Sequence, residues 1–153
     1  MPDVRIRPAE RDDAFALAAL RLQLDREAGR APRAGFLDEY ADAWLAEGGG
    51  YRGWLAEAGD GDPVGCLLAL RVRTLPTLAA PGRPEWWSVQ QVYVRADRRR
   101  DGVGTALVGA AQAAAREGGV GRLRLDASDA DRALVDATGF GPPVEGLREW
   151  RPT

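Results

Sequence analysis

The chain has no lysine, no histidine and no asparagine, and Cys66 is its only cysteine. Each absence removes some chemistry. Without lysine there is no Schiff-base residue and no P-loop, which needs Gly-Lys-Ser/Thr at its end. Without histidine, neither Ser-His-Asp nor Cys-His nucleophilic sites can be assembled. A single cysteine forms no internal disulfide, and no Cys/His set is left for zinc, so no metal is expected. A reducing cytoplasm is the simplest setting. No apolar run approaches the ~20 residues of a membrane span, so no membrane association is expected. The charged start, MPDVRIRPAERDD, has no h-region and does not read as a signal peptide. Isoleucine is nearly missing as well, with Ile6 alone, and all 21 basic residues are arginine. These omissions together fit the codon bias of a GC-rich genome.

What is present suits one globular domain over residues 1–153, with 45% hydrophobic and 29% charged residues. The net charge of −2 gives no basis for binding nucleic acid or anionic membrane, so any anion site must be local. Alternation of Val4 and Ile6 with Arg5 and Arg7 predicts a short strand that Pro8 stops. Helical spacing follows over 11–28, with Phe15, Ala18, Ala19 and Leu22, and Ala14 beside them, as the apolar face, and again over 36–46. Strands are predicted at 51–58, 63–74 and 86–95, with 64–70 apolar enough to be buried on both faces. A helix over 102–117, a strand at 122–127, a short helix at 130–138 and a last strand near 147–150 complete the order. Three consecutive strands favour antiparallel pairing, and the strand–helix–strand unit after them favours a parallel or splayed pair.

One segment points to a ligand. Val92-Tyr93-Val94 ends a strand, Arg98-Arg99-Arg100 follows, and Gly102-Val103-Gly104 opens a helix. The glycines allow close backbone approach, the helix start offers unpaired N–H groups, and the arginines add fixed positive charge. That set suits a diphosphate. A dinucleotide fingerprint fits less well, because Leu107 stands where a third small residue belongs.

The Arg-x-x-Gly-x-Gly run after Val-Tyr-Val resembles motif A of the GNAT superfamily of acyl-CoA-dependent N-acetyltransferases. Val4 to Ala9 with Asp12 or Asp13, Pro63-Val64-Gly65, and Ala133-Leu134 before Gly139-Phe140 are similar to further segments of that family, in order. The resemblance implies an α/β (α+β) fold, with a mixed, splayed central sheet of about six to seven strands and about four helices. It implies acetyl-CoA as co-substrate, an amine acceptor and a homodimer. The diphosphate would sit on Arg99, Arg100, Asp101, Gly102, Val103, Gly104 and Thr105, and the pantetheine arm on the main chain of Val92, Tyr93 and Val94. Ser128 stands where the family often has an asparagine that holds the arm.

The implied reaction is direct attack of the amine on the thioester. The Val94 N–H is a candidate oxyanion donor. Among Glu85, Ser88 and Gln90, on the strand expected to face the acyl group, only Glu85 ionises, which makes it the candidate base. Asp126 and Asp129 are second candidates. Val135 occupies the family's usual tyrosine position, so the proton for the leaving thiolate must come from water or Ser128. That departure keeps a second reading open, a non-catalytic acyl-CoA sensor or scaffold of the same fold. Tyr93 and Cys66 read as core residues, one of Trp86 and Trp87 as core, and Tyr40 and Trp44 as lying near the acceptor.

Overall fold

The computed structural model describes residues 3–126, 132–142 and 150–152. Strand β1 (Val4–Pro8) leads through a 3-10 turn (Arg11–Asp13) into α1 (Ala14–Glu27) and α2 (Phe36–Glu47). Strands β2 (Tyr51–Ala58), β3 (Pro63–Arg73) and β4 (Glu85–Val94) follow. Then come α3 (Val103–Glu117), β5 (Leu123–Leu125) and α4 (Arg132–Thr138). The five strands form one sheet in the order β1-β2-β3-β4-β5. Neighbours from β1 to β4 are antiparallel and β5 lies parallel to β4, so the sheet is mixed. The expectation of six to seven strands is corrected to five among the described residues. The predicted last strand, Trp150 apart, lies outside them.

Each face of the sheet carries its own core. Trp54, Leu67, Trp87 and Val89 pack on one face with Val103, Leu107 and Ala111 of α3. Leu55, Cys66, Leu68 and Tyr93 pack on the other with Leu17 and Leu20 of α1. The run Val64–Ala69 is buried on both sides, as its continuous apolarity predicts. In α1 the inward face is Ala14, Leu17, Ala18 and Leu20, while Phe15 is 58% exposed. Of the expected face (Ala14, Phe15, Ala18, Ala19, Leu22), Ala14 and Ala18 point inward, and the rest is rotated by about one position. The 3-10 turn takes up Arg11–Asp13, and the α-helix starts only at Ala14.

Two irregularities in β4 shape the molecule. Its pairing with β5 covers only Trp87↔Leu123, Ser88↔Arg124 and Val89↔Leu125, while β4 continues to Val94, so the two strands part beyond Val89. Opposite β3, Leu68 pairs with Gln91 and Ala69 with Val89, which leaves Gln90 as the extra residue of a β-bulge.

Candidate active site

The bulge decides which side chains and amides face where. Before it, Trp87 and Val89 point to the α3 face; after it, Tyr93 points to the α1 face. The Trp87 N–H donates across to Arg122 at 3.0 Å, on the β5 side. Beyond the bulge, the Arg95 N–H donates to Val64 at 2.8 Å, on the β3 side. Antiparallel alternation then turns the amides of Gln91 and Tyr93 toward β3, and those of Val92 and Val94 toward the space that β5 has left. Of the three residues predicted to offer main chain, Val92 and Val94 have open amides, and the Tyr93 amide faces the sheet.

The turn expected to take the anion, the anion turn, begins where β4 ends. A 3-10 turn (Ala96–Arg98) is followed by Arg99 in extended conformation, Arg100 at φ 69° and Gly102 at φ 79°. Arg100 is a non-glycine residue held in the left-handed region, a strain of about 1–2 kcal/mol that concentrates at functional turns. The first α3 bond runs from the Ala106 N–H to Gly102 at 3.0 Å. The amides of Val103, Gly104 and Thr105 therefore have no helical acceptor, and the helix dipole adds partial positive charge there. Arg100, Asp101 and Thr105 are exposed around them. Arg99 is turned elsewhere: its Nε donates to the Val94 carbonyl at 2.9 Å and its guanidinium pairs with Glu27.

Two cavities meet at the bulge. The gap between β4 and β5, about 240 Å³, is lined by Val89, Gln90, Gln91, Val92, Asp126 and Leu134. A second cavity of about 440 Å³ lies between β4 and the α1–α2 hairpin, bounded by Arg21, Asp25, Tyr40 and Trp44, and again by Gln90 and Gln91. Gln91 is buried; its Oε1 accepts from Arg21 at 3.2 Å and its Nε2 lies 3.1 Å from Cys66 Sγ. Gln90 Nε2 donates to Ser88 Oγ at 2.8 Å, so these two residues share a face.

Glu85 is not with them. It has the strand parity of Trp87, which puts its carboxylate on the α3 face, and it lies about 23 Å before Val92 at the usual strand rise. Arg71 Nε is 2.6 Å and Arg73 Nε 3.3 Å from its Oε1. Burial pushes the Glu85 carboxyl up, but these two guanidiniums outweigh that and hold it below its ordinary value. Glu85, the candidate base at the start of the strand, lines neither of the two cavities. Asp126 does reach the gap. Ser128 and Asp129 lie outside the described residues. Val135 lines a groove beside Gln112 and Phe140, whereas Leu134 lines the gap.

The remaining expectations divide cleanly. Trp87 is buried, 5.8 Å from Trp54, while Trp86 lies beneath the guanidiniums of Arg122 and Arg124. Cys66 is buried and burial pushes its thiol up to about 12, which leaves it an inert hydrophobe at neutral pH. Tyr93 packs in the α1-side core with its hydroxyl on Glu27. Sequence reasoning missed Arg21, Asp25 and Gln91. They come from two distant segments, and only the bulge turns Gln91 toward α1. Among the described residues no group of acids or cysteines could hold a metal, and no helix is long and apolar enough to cross a membrane.

A mixed sheet that opens between its parallel strands, with a helix N-terminus at the mouth, has the α/β architecture of the GNAT kind. The family model of the Acetyltransferase (GNAT) family matches residues 18–140, and the chain belongs to that family. It is an acyltransferase, which sets aside the non-catalytic reading. A GCN5-related N-acetyltransferase from Ralstonia eutropha JMP134 is similar in structure, with 27% identity, 96% of this chain and 98% of that chain covered, and a TM-score of 0.75. A predicted acetyltransferase with acetyl-CoA from Clostridium acetobutylicum shares the fold at 18% identity, 95% coverage of both chains and a TM-score of 0.76. So does a ribosomal-protein-alanine N-acetyltransferase from Brucella melitensis biovar Abortus 2308, at 23% identity, 98% and 99% coverage and a TM-score of 0.74. No curated protein sequence matches the chain.

Proposed function

We propose that the protein transfers an acetyl group from acetyl-CoA to a primary amine by direct attack, as a single cytoplasmic domain. The observation that carries this reading is the continuity of three features: the unpartnered amides of Val103, Gly104 and Thr105, the open amides of Val92 and Val94, and the cavity junction at Gln90 and Gln91. An extended molecule with a diphosphate at one end and a reactive thioester at the other matches that order. The diphosphate takes the helix start, with Arg100 beside it. Arg99 joins it on leaving Glu27. The arm pairs with the Val94 amide like an added strand.

The oxyanion donor moves along the strand in this reading. Val94 lies at the diphosphate end, and Val92 is the open amide nearest the cavity junction, so Val92 receives the carbonyl oxygen. The amine enters from the α1–α2 side. Its nitrogen lone pair attacks the thioester carbon, the C–N bond forms, and the C–S bond breaks with its electron pair leaving on sulfur. The proton lost by nitrogen passes through water to Asp126, and the thiolate is protonated from solvent, since Val135 supplies no donor. Products are the N-acetyl amine and coenzyme A.

Differential scanning fluorimetry tests the cofactor, because a ligand bound only to the folded state raises the melting temperature. Acetyl-CoA and coenzyme A both raise it, and Gly104→Glu abolishes the rise. Absence of any shift at millimolar coenzyme A overturns the reading. Thiol release over an amine panel then tests transfer.

A further inference from the structure

We infer that the cavity between β4 and the α1–α2 hairpin takes a cationic amine carried on a flat aromatic body, an arylalkylamine, and rejects the corresponding amino acid. This rests on the acetyl-transfer reading for its chemistry but on separate residues for its binding.

The walls are aromatic. Phe36 and Tyr40 stand 6.0 Å apart at 52°, and Trp44 and Tyr51 stand 6.4 Å apart at 50°; all four line the cavity. Leu68 and Ala43 complete an apolar surface. Tilted aromatic faces of this kind receive both a planar ring and a cation.

The charges select the sign. Arg21 is the cation in the lining, and its guanidinium is already committed, at 3.2 Å to Asp25 and at 3.2 Å to the Gln91 side chain. Asp25 in turn is held by Arg30 at 3.0 Å. Glu47 also lines the cavity, at the end of α2, and its carboxylate takes no ion pair or hydrogen bond among the described residues. The lining itself holds one guanidinium, Arg21, and two carboxylates, Asp25 and Glu47, so its net charge is one negative. An ammonium entering this cavity gains the Glu47 carboxylate and the aromatic faces. A substrate carboxylate gains no open cation and meets Glu47. The ammonium gives one proton to solvent before attack, after which the transfer step runs as above. A volume of about 440 Å³ is in the range of small-molecule sites.

The experiment is calorimetric titration of the protein, alone and with coenzyme A, using matched pairs that differ only in a carboxylate: 2-phenylethylamine against phenylalanine, and tryptamine against tryptophan. The amines are expected to bind at least about tenfold more tightly than their amino acids, since a ligand carboxylate here meets the like charge of Glu47 and finds no open cation. Glu47→Gln is exposed and folds normally; it is expected to weaken 2-phenylethylamine about fivefold and leave acetyl-CoA binding unaltered. Equal binding within the pairs, no binding of either amine, or no change in Glu47→Gln overturns the inference. Amine binding without any acetyl-CoA binding would instead overturn the acetyl-transfer reading and leave the cavity's selectivity standing.

Discussion

The hydroxyl of Tyr93 donates to a carboxylate oxygen of Glu27 at 2.6 Å, joining the middle of the sheet to the last turn of α1. The other oxygen of Glu27 takes Arg99, whose Nε holds the Val94 carbonyl at 2.9 Å. One carboxylate thus connects the α1–α2 hairpin, the splayed end of β4 and the anion turn.

That arrangement changes how Tyr93 ionises. Burial, followed by the neighbouring Glu27 carboxylate, pushes its phenol up to about 12 from 10.0. The folded state therefore favours the neutral phenol. The stabilisation is complete below pH about 10 and is lost as pH rises toward 12. Tyr40 is raised to about 12 as well, chiefly by burial. Alkaline titration followed by tyrosinate absorbance should show two late-ionising tyrosines in the wild type and one in Tyr93→Phe. An unchanged titration in that variant would contradict the Tyr93 assignment.

The two glycines of the anion turn should behave differently. Gly102 has φ 79° with open space around it, so Gly102→Ala strains the backbone by about 1–2 kcal/mol without a clash. At Gly104 a Cβ would sit 3.7 Å from Leu134 and 3.8 Å from Val94, ordinary contact distances, in a helical residue. Gly104→Ala should therefore fold as well as wild type, with a gain of up to about 0.5 kcal/mol. That methyl group occupies the mouth of the gap, so the variant should lose most of its acetyl-CoA-dependent rise in melting temperature. Melting curves with and without acetyl-CoA separate the two effects.

How far the sequence led can be judged residue by residue. Strand β2 was legible to its ends because Gly48-Gly49-Gly50 and Gly59-Asp60-Gly61-Asp62 bracket it, and the burial of Val64–Ala69 followed from an unbroken apolar run. The turn before α3 was legible as a turn because the local spacing of Gly102 and Gly104 carries it. The bulge at Gln90 was not, since an extra residue in a strand leaves no mark in a pattern of Ser, Val and Gln. That one residue reverses the strand's parity after Val89 and carries Gln91 to the α1 side, whereas Glu85 keeps the parity of Trp87 and Val89, opposite to Ser88. The α1–α2 cavity was glimpsed only through Tyr40 and Trp44. Its charged members meet by tertiary contact, and no short window of sequence contains them.

Gly53 on β2 supports that cavity from beneath. A Cβ there would come within 2.9 Å of Leu68 Cδ2, 3.1 Å of Ala9 Cβ and 3.3 Å of Trp44 Cη2. Gly53→Ala should cost about 1–3 kcal/mol by overpacking, and displace the Trp44 indole. Chemical denaturation checks the first effect, and a change in tryptophan emission of the folded protein checks the second. Unaltered stability would mean that Leu68 and Trp44 yield without cost.

Glu85 and Asp126 give the sharpest contrast. Glu85→Gln removes the anion that holds Arg71 and Arg73, and should cost about 1–2 kcal/mol of stability while leaving most turnover intact. The Glu85 carboxyl is held below its ordinary 4.5, so its contribution is present above that pH and is lost as pH falls through the lower folded value. The acid limb of the stability curve below pH 4.5 should therefore flatten in Glu85→Gln. Asp126→Asn should do the reverse. It lines the gap and is exposed, so folding is little changed, while removal of a general base should slow thiol release on the order of 10²-fold or more. Equal loss of turnover in both variants would return the base role to Glu85. Retained turnover in Asp126→Asn would leave water alone to take the proton.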